Sequence, residues 1–185
     1  FFVERREFPA QTFALVAPDD TADSPAPAYG QTKDFLFDPV FYALNYSDSV
    51  PGLTVDNARQ HYRDVGATNE MRPNGWFDAD YYANRWDDLR PLNLDDATLF
   101  LHYNLYGVWE GRSASPRFHN FDGNAYLNQN RDVGSYVDAY INDFLGSRTN
   151  GAIAHYVIYG SDEGRAAFDT TGRAVEMDYV VDLGG

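Results

Sequence analysis

One pattern, written three times, constrains this chain more than any other feature. Its central copy reads Phe77-Asp78, Tyr81-Tyr82, Asp87-Asp88-Leu89, His102-Tyr103, Gly107 and Glu110-Gly111-Arg112. Upstream the same skeleton is Phe37-Asp38, Phe41-Tyr42, Ser47-Asp48, His61-Tyr62, Gly66 and Glu70-Met71-Arg72. Downstream it is Phe121-Asp122, Ala125-Tyr126, Asn130-Arg131-Asp132, His155-Tyr156, Gly160 and Glu163-Gly164-Arg165. Phe168-Asp169 opens a fourth copy that does not develop. The Phe residues that begin successive copies lie 40, 44 and 47 residues apart. That is the period of two-helix repeat units, which bury their apolar faces against neighbours.

Within each copy the second half carries the clearer helix. The stripes Ala58/His61/Tyr62/Val65, Leu99/His102/Tyr103/Tyr106 and Ala152/His155/Tyr156/Tyr159 have the i, i+3, i+4, i+7 spacing of one helical face. Gly66, Gly107 and Gly160 follow at once, where a left-handed glycine would end the helix. Thr54, Asn93 and Thr149 or Asn150 stand where N-caps are expected. The first half of each copy is expected to start a short helix at the Asp of Phe-Asp, whose carboxylate accepts orphan amide hydrogens. The long connection Gly134–Ser147 holds Tyr136, Tyr140, Ile141 and Phe144, which predicts an extra helical turn or two.

Outside the copies the pattern changes. Phe13-Ala14-Leu15-Val16-Ala17 is a short apolar run between Pro9 and Pro18, of strand length. Residues 19–33 are rich in Pro, Ala, Ser, Thr and Asp and read as a linker. Val175, Met177, Tyr179, Val181 and Leu183 alternate along the C-terminal tail, which predicts a half-buried strand. The expected fold class is therefore mainly α: three tandem two-helix repeats with short β-strand arms at both termini. Residues 1–34 are the N-terminal arm and linker, 35–169 the repeat domain (35–76, 77–120, 121–167) and 170–185 the C-terminal arm.

The pattern Phe-Asp-x-x-Tyr-Tyr, an Asp-containing turn, then His-Tyr-x-x-x-Gly-x-x-Glu-Gly-Arg resembles helical repeats of secreted and surface-associated proteobacterial proteins. Such repeats stand beside RTX-type or S-layer-like modules and in spike proteins of phage-like particles. The resemblance covers roughly residues 35–169 and implies extracellular attachment or assembly without naming a ligand. The chain departs from the pattern at Met71, where Gly is expected, and at Ser47-Asp48 and Asp87-Asp88, where Asn-Pro-Asp is usual.

The recurring polar residues invite chemical readings. His61, His102 and His155 lie on inward stripes beside a Tyr, so buried imidazoles bonded to a neighbouring unit's backbone are expected. Stacked helices hold such residues about 10 Å apart, too far to share one ion. Asp38, Asp78, Asp122 and Asp169 recur at one repeat position, which suits helix caps better than the facing carboxylate pair of a glycosidase. Arg72, Arg112 and Arg165 precede the next Phe-Asp. Each is expected to bridge to the carboxylates at the inter-repeat junction and fix the angle between units, with Asp78, Arg112, Asp122 and Arg165 as the inter-repeat residues.

No cofactor is expected. Asp87-Asp88 and Asp95-Asp96 leave room for at most a weak calcium site, since neither an EF-hand loop nor a Gly-Gly-x-Gly-x-Asp nonapeptide occurs. Gly-x-Ser-x-Gly, phosphate-cradling Gly loops and His-Glu-x-x-His are missing from the sequence. Trp109 stands in the turn after Gly107, where the other copies carry polar residues; it is expected to be exposed and is the candidate ligand contact.

Charge narrows the partners. A net charge of −14 from 28 acidic and 14 basic residues disfavours nucleic acid and anionic membrane surfaces. No apolar run is long enough for membrane insertion. The absence of cysteine removes disulfides and thiolate chemistry. The chain begins at Phe1 with neither Met nor an apolar signal core, which fits a trimmed or processed fragment. These features point to a non-enzymatic structural or attachment component of an extracellular bacterial assembly, such as a spike or adhesin subunit of a phage-like particle or cell-surface layer. Its expected partners are other subunits, engaged through the terminal arms. The alternative is a carbohydrate-binding module for cell-surface polysaccharide.

Overall fold

In the computed structural model the described residues are 36–177. They form seven α-helices: α1 (Pro39–Tyr46), α2 (Val55–His61), α3 (Ala79–Arg85), α4 (Asp96–His102), α5 (Gly123–Gln129), α6 (Arg131–Ala139) and α7 (Arg148–His155). Units one and two are the pairs α1/α2 and α3/α4. Unit three is α5 and α7 with α6 inserted between them, followed by the 3₁₀ turn Ile141–Phe144. The stretch 134–147 thus holds the end of α6 and that 3₁₀ turn, the turn or two of helix expected there.

The Phe-Asp signal starts the first helix of every unit. The Asp38, Asp78 and Asp122 carboxylates accept from the amides of Phe41, Tyr81 and Ala125 at 2.9, 2.8 and 2.9 Å. Each such cap stabilises its helix by about 1 kcal/mol. The same residues close their units through the backbone. Asp38 N–H donates to Pro73 O, Asp78 N–H to Ala114 O and Asp122 N–H to Phe168 O.

The second helices begin at other caps than the spacing suggested, except at Thr54. Asp95 accepts from Thr98 N–H at 2.7 Å and Ser147 from Asn150 N–H at 3.3 Å. Asn93 is instead left-handed, with φ 48°, ending the 3₁₀ turn Arg90–Leu92. Thr149 and Asn150 lie inside the first turn of α7.

The glycines after the stripes correct a second expectation. Each second helix widens into a π-helical turn: Tyr62–Gly66, Tyr103–Gly107 and Tyr156–Gly160. The amides of Ala67, Val108 and Ser161 donate to the carbonyls of Tyr62, Tyr103 and Tyr156, five residues back. Gly66 is right-handed, with φ −62°. What requires glycine is space. A Cβ at Gly66, Gly107 or Gly160 would overlap the hydroxyl of Tyr42, Tyr82 or Tyr126 from the first helix of the same unit. The left-handed turn comes later, at Glu70, Gly111 and Gly164.

The core is a ladder of aromatic rings. Phe37, Tyr42 and Tyr62 pack together in unit one, Phe77, Tyr82 and Tyr103 in unit two, and Phe121, Tyr126 and Tyr156 in unit three, with ring centroids 5.0–5.7 Å apart. Tyr42, Tyr82 and Tyr126 are fully buried, which contributes roughly 1.5–3 kcal/mol each for a side chain of this size. Units one and two meet where Phe100 packs edge-on to Tyr62 and Trp76 packs against Tyr103 and Phe118. In unit one the position of Phe100 and Ile153 is taken by Arg59, whose guanidinium lies 5.1 Å over the Phe37 ring. A half-buried cation thus stands where the later units bury an apolar side chain.

The strand arms are not found. Among the described residues there is no strand or sheet, only isolated bridges between Phe121 and Asp169 and between Phe168 and Ala174. Instead of pairing along its length, the chain turns at Gly172 (φ 84°), lays Val175 onto unit three and buries Met177. There the Tyr156 hydroxyl takes the Val175 carbonyl at 2.7 Å, so a side chain uses the group a ladder would need. The run 13–16 and residues 178–185 lie outside the described residues. No helix among the described residues is long and apolar enough to cross a membrane.

Candidate functional site

The chemistry-bearing residues gather at one place in each unit, where the first helix meets the π turn of the second. The Tyr42, Tyr82 and Tyr126 hydroxyls meet Nδ1 of His61, His102 and His155 at 2.9, 2.9 and 2.8 Å. The histidines therefore bond to a tyrosine of their own unit, not to a neighbour's backbone. The cause is the glycine: without a Cβ there, the tyrosine reaches past the turn to the imidazole.

Burial sets the charge state. His102 and His155 are held down to about 4, first by desolvation and then by the nearby Arg112 or Arg165 cation. Burial pushes the Tyr82 and Tyr126 hydroxyls well above their ordinary range. Both partners are thus neutral at pH 7. A neutral histidine tied to a neutral phenol is a poor general base, because its proton affinity lies far below the operating pH.

Arg112 and Arg165 complete the cluster in units two and three. Arg112 grips Asp88 through both terminal nitrogens at 2.8 Å and donates through Nε to Glu110 at 2.5 Å. Its guanidinium also lies 5.0 Å over the Trp86 ring. Arg165 repeats this with Asp132 and Glu163 and adds Asn130 Oδ1 at 3.0 Å. The carboxyls of Asp88 and Asp132 are drawn below the usual range by these hydrogen bonds.

These arginines correct the inter-repeat reading. They tie the turn after the first helix to the turn after the second within one unit. Asp78 and Asp122 cap helices instead. Arg72 likewise stays local, donating to Gly75 O at 3.3 Å beside the Phe41 ring.

Unit one holds a further difference. The amides of Met71, Arg112 and Arg165 donate to the carbonyls of Gly66, Gly107 and Gly160, each five residues back. Met71, not Arg72, therefore occupies the arginine position, and its sulfur accepts from the Tyr42 hydroxyl at 3.0 Å. Counting residues from the glycine would have found this; matching the letters Glu and Arg hid it.

Trp109 is buried at 3% exposure, and its Nε1 donates to Asn104 O at 3.3 Å. It cannot present a face to a ligand. The turn after Gly107 folds inward in unit two, so the residue is buried and bonded within its own unit. Two buried asparagines escaped the sequence reading because neither belongs to the repeat. Asn104 Oδ1 accepts from Leu36 N–H and so joins the start of unit one to unit two, while Asn74 Nδ2 donates to Leu36 O within unit one and its Oδ1 accepts from Phe77 N–H at the start of unit two.

Three of the four carboxylates in the acidic pairs are engaged with protein, and the Asp96 carboxyl is pushed above its ordinary value by burial and by the nearby Asp80. Asp87 pairs with Arg90, Asp88 with Arg112, and Asp95 caps α4. Among the described residues no group of three or more His, Asp or Glu is placed to hold a metal ion. His119 is exposed and meets the Tyr81 hydroxyl at 3.1 Å. Comparison with family models, curated proteins and solved structures finds no match to this chain.

Proposed function

We propose that this chain is a non-enzymatic structural or attachment component of an extracellular bacterial assembly, a spike or adhesin subunit in kind. One observation carries the reading. In every unit the residues able to do chemistry are turned on one another: tyrosine on histidine, and in two units arginine on two carboxylates. Groups so engaged fix the angle between the two helices of a unit. The acidity of the chain and the resemblance of its repeat pattern to surface-protein repeats support a location outside the cell. Burial of Trp109 removes the aromatic contact on which the polysaccharide-binding alternative relied.

Light scattering on the full chain tests the proposal. A subunit of an assembly gives a defined multiple of 20.9 kDa. A monomer at every concentration that also binds glycans on an array would contradict it.

A further inference from the structure

Unit one carries an oxidisable sulfur where units two and three carry a guanidinium. Met71 Sδ accepts from the Tyr42 hydroxyl at 3.0 Å, and that hydroxyl also meets His61 Nδ1 at 2.9 Å. A phenol has one proton. Given to the sulfur, it leaves His61 to donate its own Nδ1–H to the Tyr42 oxygen, so thioether, phenol and imidazole form one chain of hydrogen bonds. Met71 is half-buried against the core and lines a cleft of about 300 Å³ between units one and two, with Tyr62, Arg72 and Asp80 among its walls. The other methionine of the chain, Met177, is buried, at 8% exposure.

We propose that Met71 is a modification site, oxidised to the sulfoxide by hydrogen peroxide, and that the sulfoxide loosens unit one. The cleft admits so small an oxidant, since a water-sized molecule takes about 30 Å³ of liquid. A thioether sulfur has two lone pairs; Tyr42 engages one and the other stays nucleophilic. It attacks one peroxide oxygen, and the S–O bond forms as the O–O bond breaks. The sulfur gives up two electrons, the peroxide takes them, and the leaving oxygen picks up the proton of the transferred one and departs as water. The product is polar where the thioether was apolar. Its new oxygen either displaces Tyr42 or takes over its proton, and both break the sulfur–phenol contact that ties the turn before Arg72 to α1. Units two and three are spared, because Arg112 and Arg165 offer peroxide no thioether.

Dilute hydrogen peroxide acting on the full-length chain at neutral pH tests this, with peptide mass spectrometry following the oxygen gained at each methionine. Met71 is expected to react at least about tenfold faster than Met177 in the folded protein, and at a similar rate in urea. Equal rates in the folded protein, or faster reaction at Met177, overturn the proposal. Amide exchange on the oxidised chain reads the consequence: α1 and residues 62–71 are expected to exchange about tenfold faster than before treatment. Unchanged exchange there overturns the loosening. So does an equal gain in peroxide-treated Met71→Leu, a volume-conserving variant whose remaining methionine is Met177.

Discussion

Tyr126, Gly160 and His155 show how one small residue organises two large ones. A Cβ at position 160 would strike the Tyr126 hydroxyl first, with the Tyr126 ring carbon and His155 Nδ1 each at 3.3 Å. Gly160→Ala must therefore either push the tyrosine out or break its bond to His155. The expected cost is about 2–4 kcal/mol, the range for overpacking plus a lost buried hydrogen bond. Tyr126→Phe removes the clashing atom, so Gly160→Ala is expected to cost at least about 1 kcal/mol less in that background. Urea unfolding of the four proteins measures the coupling, and simple additivity would show that glycine is there for another reason. The recurrence of Gly66, Gly107 and Gly160 was legible in the sequence, but its cause was not. A helix-ending glycine and a glycine cleared for a tyrosine look alike in sequence, because the tyrosine arrives from about 20–35 residues away.

At the scale of elements, the turn after each π-helical segment distinguishes a strained glycine from a packed one. Gly111 and Gly164 are both left-handed, at φ 65° and 69°. A Cβ at Gly111 would come within 2.6 Å of the Asn150 backbone in α7, whereas one at Gly164 meets nothing within 4 Å. Gly164→Ala is expected to cost about 1 kcal/mol for backbone conformation alone, and Gly111→Ala roughly 1–3 kcal/mol more for the wedge between units two and three. Equal melting temperatures for the two variants would remove that junction from the account. Arg165→Ala is expected to cost about 2–4 kcal/mol, because it strands the half-buried Glu163 carboxylate. In unit one, Asp48 stands eleven residues after Phe37, as Asp88 and Asp132 stand after Phe77 and Phe121. Met71→Arg should build the missing ion pair there and hold or raise the melting temperature, whereas Arg72→Ala leaves unit one's cluster intact. Helices, their period and their Asp caps could be read from spacing because they depend on near neighbours. The within-unit direction of the arginines could not, since Arg112 is closer in sequence to Asp122 than to Asp88. The alternating tail misled for a related reason: Val175 and Met177 are buried, and alternation reports burial of one face without supplying a partner strand.

Across the whole molecule the clusters make stability depend on pH in one direction. His102 and His155 titrate near 4 in the folded chain and near 6.5 when unfolded. Between those values the unfolded chain binds protons that the folded chain refuses, so stability is complete above pH 6.5 and falls as pH drops toward 4. By pH 5 the buried His155 alone accounts for about 2 kcal/mol, and His102, which is partly exposed, for less. Asp88 and Asp132 act in the same sense at lower pH, since their depressed values favour the folded state only while they remain ionised. Denaturant unfolding at pH 7 and 5 should show the loss, and His155→Gln should flatten it. The measurement that most directly tests whether these residues are spent on structure is a pH titration of the imidazole signals by NMR. The chain has four histidines, so the spectrum can be assigned with His102→Gln and His155→Gln. Two imidazoles titrating near 4 would match buried neutral rings bonded to tyrosine; four titrating near 6.5 would mean open histidines and would contradict the structural role assigned to the repeat.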